Sequence, residues 1–154
     1  MSSEKTRLEE AIQQLLAQLD ELREAIRVVQ ARSLALSSEI QEIRMAYETL
    51  SNIQKLAHRE VLASLDRNGY VFTKAQLLVT DEAIVRIGKE YYAALPIDKA
   101  KSILTDYEKD LTEELRETES ELRKLTELYN QVQKRIQEYA TSLQRLEEGL
   151  KSSR

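Results

Sequence analysis

Few of the 154 residues could carry covalent chemistry, and their spacing does not gather them. His58 is the only histidine, and there is no cysteine. Metal sites draw on clustered His, Cys and carboxylate ligands; no such cluster surrounds His58, which reads as a surface residue near a helix end. The lack of cysteine removes disulfides and thiolate sites and is compatible with a reducing, cytoplasmic setting. Acidic runs such as Glu113-Glu114 and Glu147-Glu148 read as solvated faces. There is no GxGxxG, no phosphate-binding P-loop, no HExxH and no nucleophile elbow. The chain is therefore expected to be no enzyme and to use no cofactor or metal.

Charge narrows the partners. The net charge is −4, with both signs interspersed. Nucleic acid or an anionic membrane needs a basic stripe, which the chain does not have, so neither is the expected partner. The first sixteen residues hold no continuous apolar stretch of the signal-peptide kind. No run is apolar and long enough for a membrane span.

The elements explain what the composition is for. Charged residues make up 32% and aromatics 5%, with three glycines and one proline. Such chains form long helices or coiled coils. One apolar series runs Leu8, Leu15, Leu22, Val29, Leu36, Ile43, Leu50, Ala57. A second runs Ile12, Leu19, Ile26, Ser33, Ile40, Tyr47, Gln54, Val61. A seven-residue period held this long implies a left-handed supercoiled seam. At about 1.5 Å per residue, a helix of roughly 55 residues reaches about 80 Å. After Pro96 a matching pair of series appears: Leu104, Leu111, Thr118, Leu125, Val132, Tyr139, Leu146, and Leu115, Leu122, Tyr129, Ile136, Leu143, Leu150. Ser33 and Gln54 read as register-setting or kink-forming positions.

Between the helices lies a segment of another character. Asp66 to Pro96 holds Gly69, Gly88, the only proline, Phe72 and three tyrosines, with β-branched runs that suit a pleated surface. Asp66-Arg67-Asn68-Gly69 reads either as a helix stop or as a hairpin loop preceded by a strand at 61–65, so the first helix ends near 60 or near 66. Strands are expected at Tyr70–Val79, Ala83–Gly88 and Tyr91–Leu95. Turns are expected at Thr80-Asp81-Glu82 and at Gly88-Lys89-Glu90, where Gly88 is free to take positive φ. The fold class is expected to be mainly α: a long antiparallel coiled-coil hairpin with two central β-hairpins that oligomerise into a shared sheet or a β-barrel body. Its parts are an N-terminal coiled-coil helix at 1–60, a β-hairpin assembly segment at 61–96 and a C-terminal coiled-coil helix at 97–154.

Isolated hairpins are marginal, and their edges recruit other strands. Tyr70, Phe72, Leu77, Ile84, Val85, Ile87, Tyr91 and Leu95 are more apolar surface than a local turn requires. They are expected to be the subunit-assembly residues.

The stretch VLASLDRNGYVFTKAQLLVTDEAIVRIGKEYYAALPIDKAKSIL, with GYVFTKA, TDEA, IVRIG and KEYYA in order, resembles the core of the prefoldin alpha class. The arms resemble that class in heptad pattern only. Family members usually carry a proline followed by glycines before the strand that begins YV; here the chain reads Ala63-Ser64-Leu65-Asp66-Arg67-Asn68-Gly69. Two hairpins fit the alpha class, since the beta class has one. The resemblance implies a cytoplasmic co-chaperone subunit without ATP use. It implies a hetero-hexamer of two alpha and four beta-type subunits with a double β-barrel body and projecting arms. The arms would hold non-native proteins and deliver them to a group II chaperonin.

The residues placed to do the holding are at the helix ends. Terminal turns fray because they lack neighbours on one side. Leu8, Ile12 and Leu15 with Leu143, Leu146 and Leu150, and Leu16 beside the seam, would be partly exposed there within a rim of charge. On the residues alone the plainer reading is that these side chains only zip the coiled coil. The resemblance makes them the client-binding tips. A structural tether and a filament-forming prefoldin-like subunit remain the other readings.

Overall fold

The computed structural model describes residues 2–78 and 80–152. In chain order it holds helix α1 (Ser2–Asn52), a 3-10 turn (Ile53–Leu56), strands β1 (Glu60–Ser64), β2 (Phe72–Gln76), β3 (Glu82–Arg86) and β4 (Tyr92–Pro96), and helix α2 (Ile97–Ser152). The chain divides into two compact units: residues 1–35 with 115–154, and residues 36–114.

The first unit is an antiparallel helix pair. Leu19, Leu22 and Val132 are buried, with Leu15, Leu125, Tyr129 and Ile136 packed against them. The heptad positions thus meet across the seam, which is why this period of apolar residues forms helix here. Two polar contacts fix the direction. Lys5 donates to Glu147 at 2.7 Å, and Arg23 donates to the Tyr129 hydroxyl at 3.4 Å. As many residues separate Lys5 from Arg23 as separate Tyr129 from Glu147, so the register is constant between them. Thr118 is the buried polar residue of the seam.

In the second unit, Leu36, Ile40, Val85 and Ala100 are buried. Tyr47 sits at a seam position but is exposed, under the Lys101 ammonium at 4.8 Å. Arg44 is ion-paired with Glu108, and the Tyr107 hydroxyl donates to the Arg86 carbonyl, tying β3 to α2.

Helix α1 stops at Asn52, earlier than the expected 60 or 66. Its last turn is built from poor helix formers whose side chains bond back to the preceding turn. Thr49 donates to the Met45 carbonyl, Ser51 to Tyr47 and Asn52 to Glu48. The backbone then tightens into the 3-10 turn, and His58 takes φ +59, the left-handed conformation common where a helix is left. Gln54 and Ala57 are therefore not seam residues. Val61 continued the seven-residue series because an inward strand residue happens to fall in phase with it.

The four strands form two separate antiparallel sheets, β1–β2 and β3–β4. The register pairs Val61 with Ala75 and Ser64 with Phe72, then Ala83 with Leu95 and Arg86 with Tyr92. The expected strand before the loop is thus present, at Glu60–Ser64 rather than 61–65, and Asp66–Gly69 belongs to a hairpin loop. Thr80 and Asp81 join the hairpins, with Glu82 already in β3, rather than turning one strand onto the next. The Ile97 amide closes back onto the Asp81 carbonyl at 3.2 Å. The loop at Gly88–Glu90 is a turn as expected, closed by Ile87 N–H donating to Tyr91 at 2.8 Å. Gly88 does not use positive φ; only Gly69 does, among the glycines, at φ +74.

Strand β2 starts at Phe72 rather than Tyr70, and the cause is Asp66. Its Oδ1 accepts from the amides of Asn68 and Tyr70, and its Oδ2 from Val71, at 2.8 to 3.1 Å. Those N–H groups are occupied before a ladder can take them. The Tyr70 and Val71 amides hold the Asp66 carboxyl below the usual aspartate range. A lowered folded-state value stabilises the loop above the unfolded aspartate range, and that contribution is lost as pH falls through the folded value. The Tyr70 and Val71 amide shifts are expected to titrate together with a midpoint below the ordinary aspartate value. In Asp66→Asn that shared titration disappears. A midpoint at the ordinary aspartate value would remove the carboxylate from this role.

Gly69 completes the same loop. A Cβ built there would lie 3.3 Å from Phe72 Cζ, on a backbone that side chains rarely adopt. Gly69→Ala is expected to cost about 1 kcal/mol in urea unfolding and to displace the Phe72 ring. An unchanged midpoint would show that the loop relaxes freely.

Candidate assembly face and helix-end cleft

A hairpin has two faces because successive side chains alternate. In β3–β4, Val85 is buried and Ala83, Ala93 and Leu95 are half-buried. The opposite face presents Ile84 beside Ala94 and Tyr92 beside Arg86. There Ile84 is 77% exposed and Tyr92 is 64% exposed. In β1–β2, Val61, Ala63 and Ala75 are half-buried, while Leu62 and Phe72 are exposed on the other side. Lys74 and Glu60 pair at 2.9 Å on that open side. The loops and the link between hairpins add Leu65, Tyr70, Val71, Leu78, Ile87 and Tyr91, all exposed. Burying one Ile- or Phe-sized side chain is worth about 1.5–3 kcal/mol. A face with several of them gains strongly from being covered.

Of the eight expected assembly residues, Tyr70, Phe72, Ile84, Ile87 and Tyr91 are exposed. Leu77 and Leu95 are half-buried and Val85 is buried, so that side chain packs within its own chain. Sequence reasoning passed over Leu62 and Tyr92. Their signal was available: both fall on the outward phase of strands whose inward phase is small or aliphatic.

The expected tip residues all lie in the first unit. Leu8, Ile12, Leu15, Leu143 and Leu146 are half-buried; Leu16 and Leu150 are exposed. Glu4, Leu8, Tyr139, Ser142, Arg145 and Leu146 line an open cleft of about 410 Å³. Beside it, the Lys5–Glu147 hydrogen bond and charge attraction raise the Lys5 ammonium above its usual range and lower the Glu147 carboxyl below its own. The two directions agree, as they must for one pair. The arrangement offers apolar contact within a charged rim.

A family model described as prefoldin subunit matches residues 22–142. The chain belongs to the prefoldin family.

Prefoldin subunit alpha of Saccharolobus islandicus (strain L.S.2.15) is 32% identical over 118 residues, covering 77% of this chain and 80% of that protein. The Saccharolobus solfataricus subunit is 30% identical over 121 residues, covering 79% and 82%. The Metallosphaera sedula subunit is 29% identical over 132 residues, covering 86% and 91%. A chain from the cryo-EM structure of filamentous PFD from Methanocaldococcus jannaschii aligns with TM-score 0.53 and 22% identity, covering 84% of this chain and 98% of that one. That last likeness is one of fold. Prefoldin membership makes this chain a chaperone-type subunit, of a non-enzymatic family, that assembles with other prefoldin subunits. All eight expected assembly residues lie within the matched range. The seven expected tip residues lie outside it. Among the described residues, no helix is long and apolar enough to cross a membrane.

Proposed function

We propose that this chain is an alpha-type subunit of a cytoplasmic co-chaperone that works without ATP. It joins beta-type prefoldin subunits through the open hairpin faces, in a hexamer of two alpha and four beta subunits with a β-barrel body. The helix ends hold non-native proteins and pass them to a group II chaperonin. The observation that supports this reading best is the run of exposed apolar residues, Leu62, Phe72, Ile84, Tyr91 and Tyr92, in hairpins with no cover of their own. Open two-stranded sheets add strands from a neighbour in order to bury such faces.

The tip assignment rests on partly buried aliphatic side chains at helix ends. Such side chains suit weak, unselective contact, and several arms acting together multiply weak contacts through effective concentration. Deleting the first dozen and last dozen residues is expected to leave the co-expressed complex intact by native mass spectrometry. The same deletion is expected to abolish its suppression of client aggregation. Full suppression by the truncated complex would refute the tip assignment. A chain that sediments as a stable monomer at micromolar concentration and takes up no beta-type partner would refute the assembly half.

A further inference from the structure

We propose that Lys5 and Glu147 form a salt-sensitive clasp that sets how often the helix-end cleft widens to seat an apolar side chain of an unfolded polypeptide. This rests on the tip reading above and adds a control element to it. Lys5 belongs to α1 and Glu147 to α2, and their charged atoms are 2.7 Å apart. They adjoin in sequence two residues of the cleft, Glu4 and Leu146. Leu8, Tyr139 and Leu146 line the open cleft but are only half-exposed, so uncovering the rest of their apolar surface requires the two helix ends to part. Parting them breaks this ion pair. Glu9 lies 3.8 Å from Lys5 on the same helix and holds the ammonium in place when Glu147 leaves.

The chemistry sets the size of the effect. Both side chains are more than a third exposed, so water and salt screen the pair. A clasp of this strength shifts an opening equilibrium by up to about fivefold, enough to tune a weak contact without locking it. Near 1 M salt the screening length falls to about 3 Å, and the clasp weakens. Arg27 and Glu24 supply the control: a 2.8 Å pair within one helix, which opening does not break.

The experiment uses the full chain assembled with its partner subunits. Amide hydrogen exchange at Leu8, Ile12, Leu143 and Leu146 is measured first, without client. Binding of a fluorescent, reduced and carboxymethylated lactalbumin is measured second. Glu147→Gln and Lys5→Gln are each expected to speed exchange and tighten client binding two- to fivefold at low salt. High salt should erase the difference from the parent. The exchanged pair Lys5→Glu with Glu147→Lys should restore parental behaviour only in part, because Glu9 and Lys151 then stand beside like charges, and Arg27→Gln should change neither readout. Exchange unaltered by both single variants would overturn the clasp, whatever the client does. Faster exchange with weaker client binding would overturn it too, since opening would then not be what admits the client. Faster exchange with client binding indifferent to Leu8→Ser and Leu146→Ser would sink the tip reading, and the clasp's role with it.

Discussion

Ile84→Asp is expected to weaken assembly with other subunits at least about 100-fold while leaving the chain itself folded. Ile84 is 77% exposed, so a charge there meets water in the free chain and unfolds nothing. Once a partner covers it, the same charge must lose its water. The variant also forfeits about 1.5–3 kcal/mol of apolar burial, and an unpaired carboxylate under an interface adds further cost. About 3 kcal/mol already corresponds to more than a hundredfold in affinity. The neighbouring residue is the internal comparison. Val85 is buried, so Val85→Asp is expected to disrupt the β3–β4 hairpin before any partner arrives. Circular dichroism of the isolated chain separates the two, and native mass spectrometry of the complex measures the first. If Ile84→Asp assembles normally, the open face of this hairpin is not an interface.

The second large effect lies in the helix pair. Leu22→Ala is expected to cost about 2–4 kcal/mol, because it leaves a gap among Leu19, Val132 and their neighbours. Thermal melting followed at a helix wavelength should show a large drop in midpoint. Leu34→Ala provides the contrast: Leu34 is 73% exposed on the same helix, and its loss should stay within about 0.5 kcal/mol. Equal losses from both variants would mean that Leu34 is covered by something in solution.

These two experiments address separate parts of the molecule. The seam residues organise the helix pair, and the open hairpin face is the surface proposed for assembly. The helix ends lie outside the range of the family match. The Lys5–Glu147 pair belongs there, and its consequence is graded, in keeping with an exposed ion pair.

Much of this protein was legible in one dimension. Heptads dictated two long helices with apolar seams, and their nearly matched lengths across a compact connector favoured antiparallel pairing. The β-rich middle, and the motifs that resemble the prefoldin alpha class, were equally plain. What residue order left open were choices between equivalent patterns. Val61 fits both the seven-residue series and a strand, and only the end of α1 at Asn52 decides for the strand. Ile84 and Val85 are both large and apolar, so alternation tells that they face opposite ways but not which way is inward. That depends on where α2 lies, with the Tyr107 hydroxyl on the Arg86 carbonyl. Asp66 looked like a helix stop or a turn residue; its three amide contacts, which hold β2 back to Phe72, exist only once the loop has closed. Local pattern specifies periodicity and therefore elements. Which face is covered, and which side chains meet across helices, is decided by packing between residues distant along the chain.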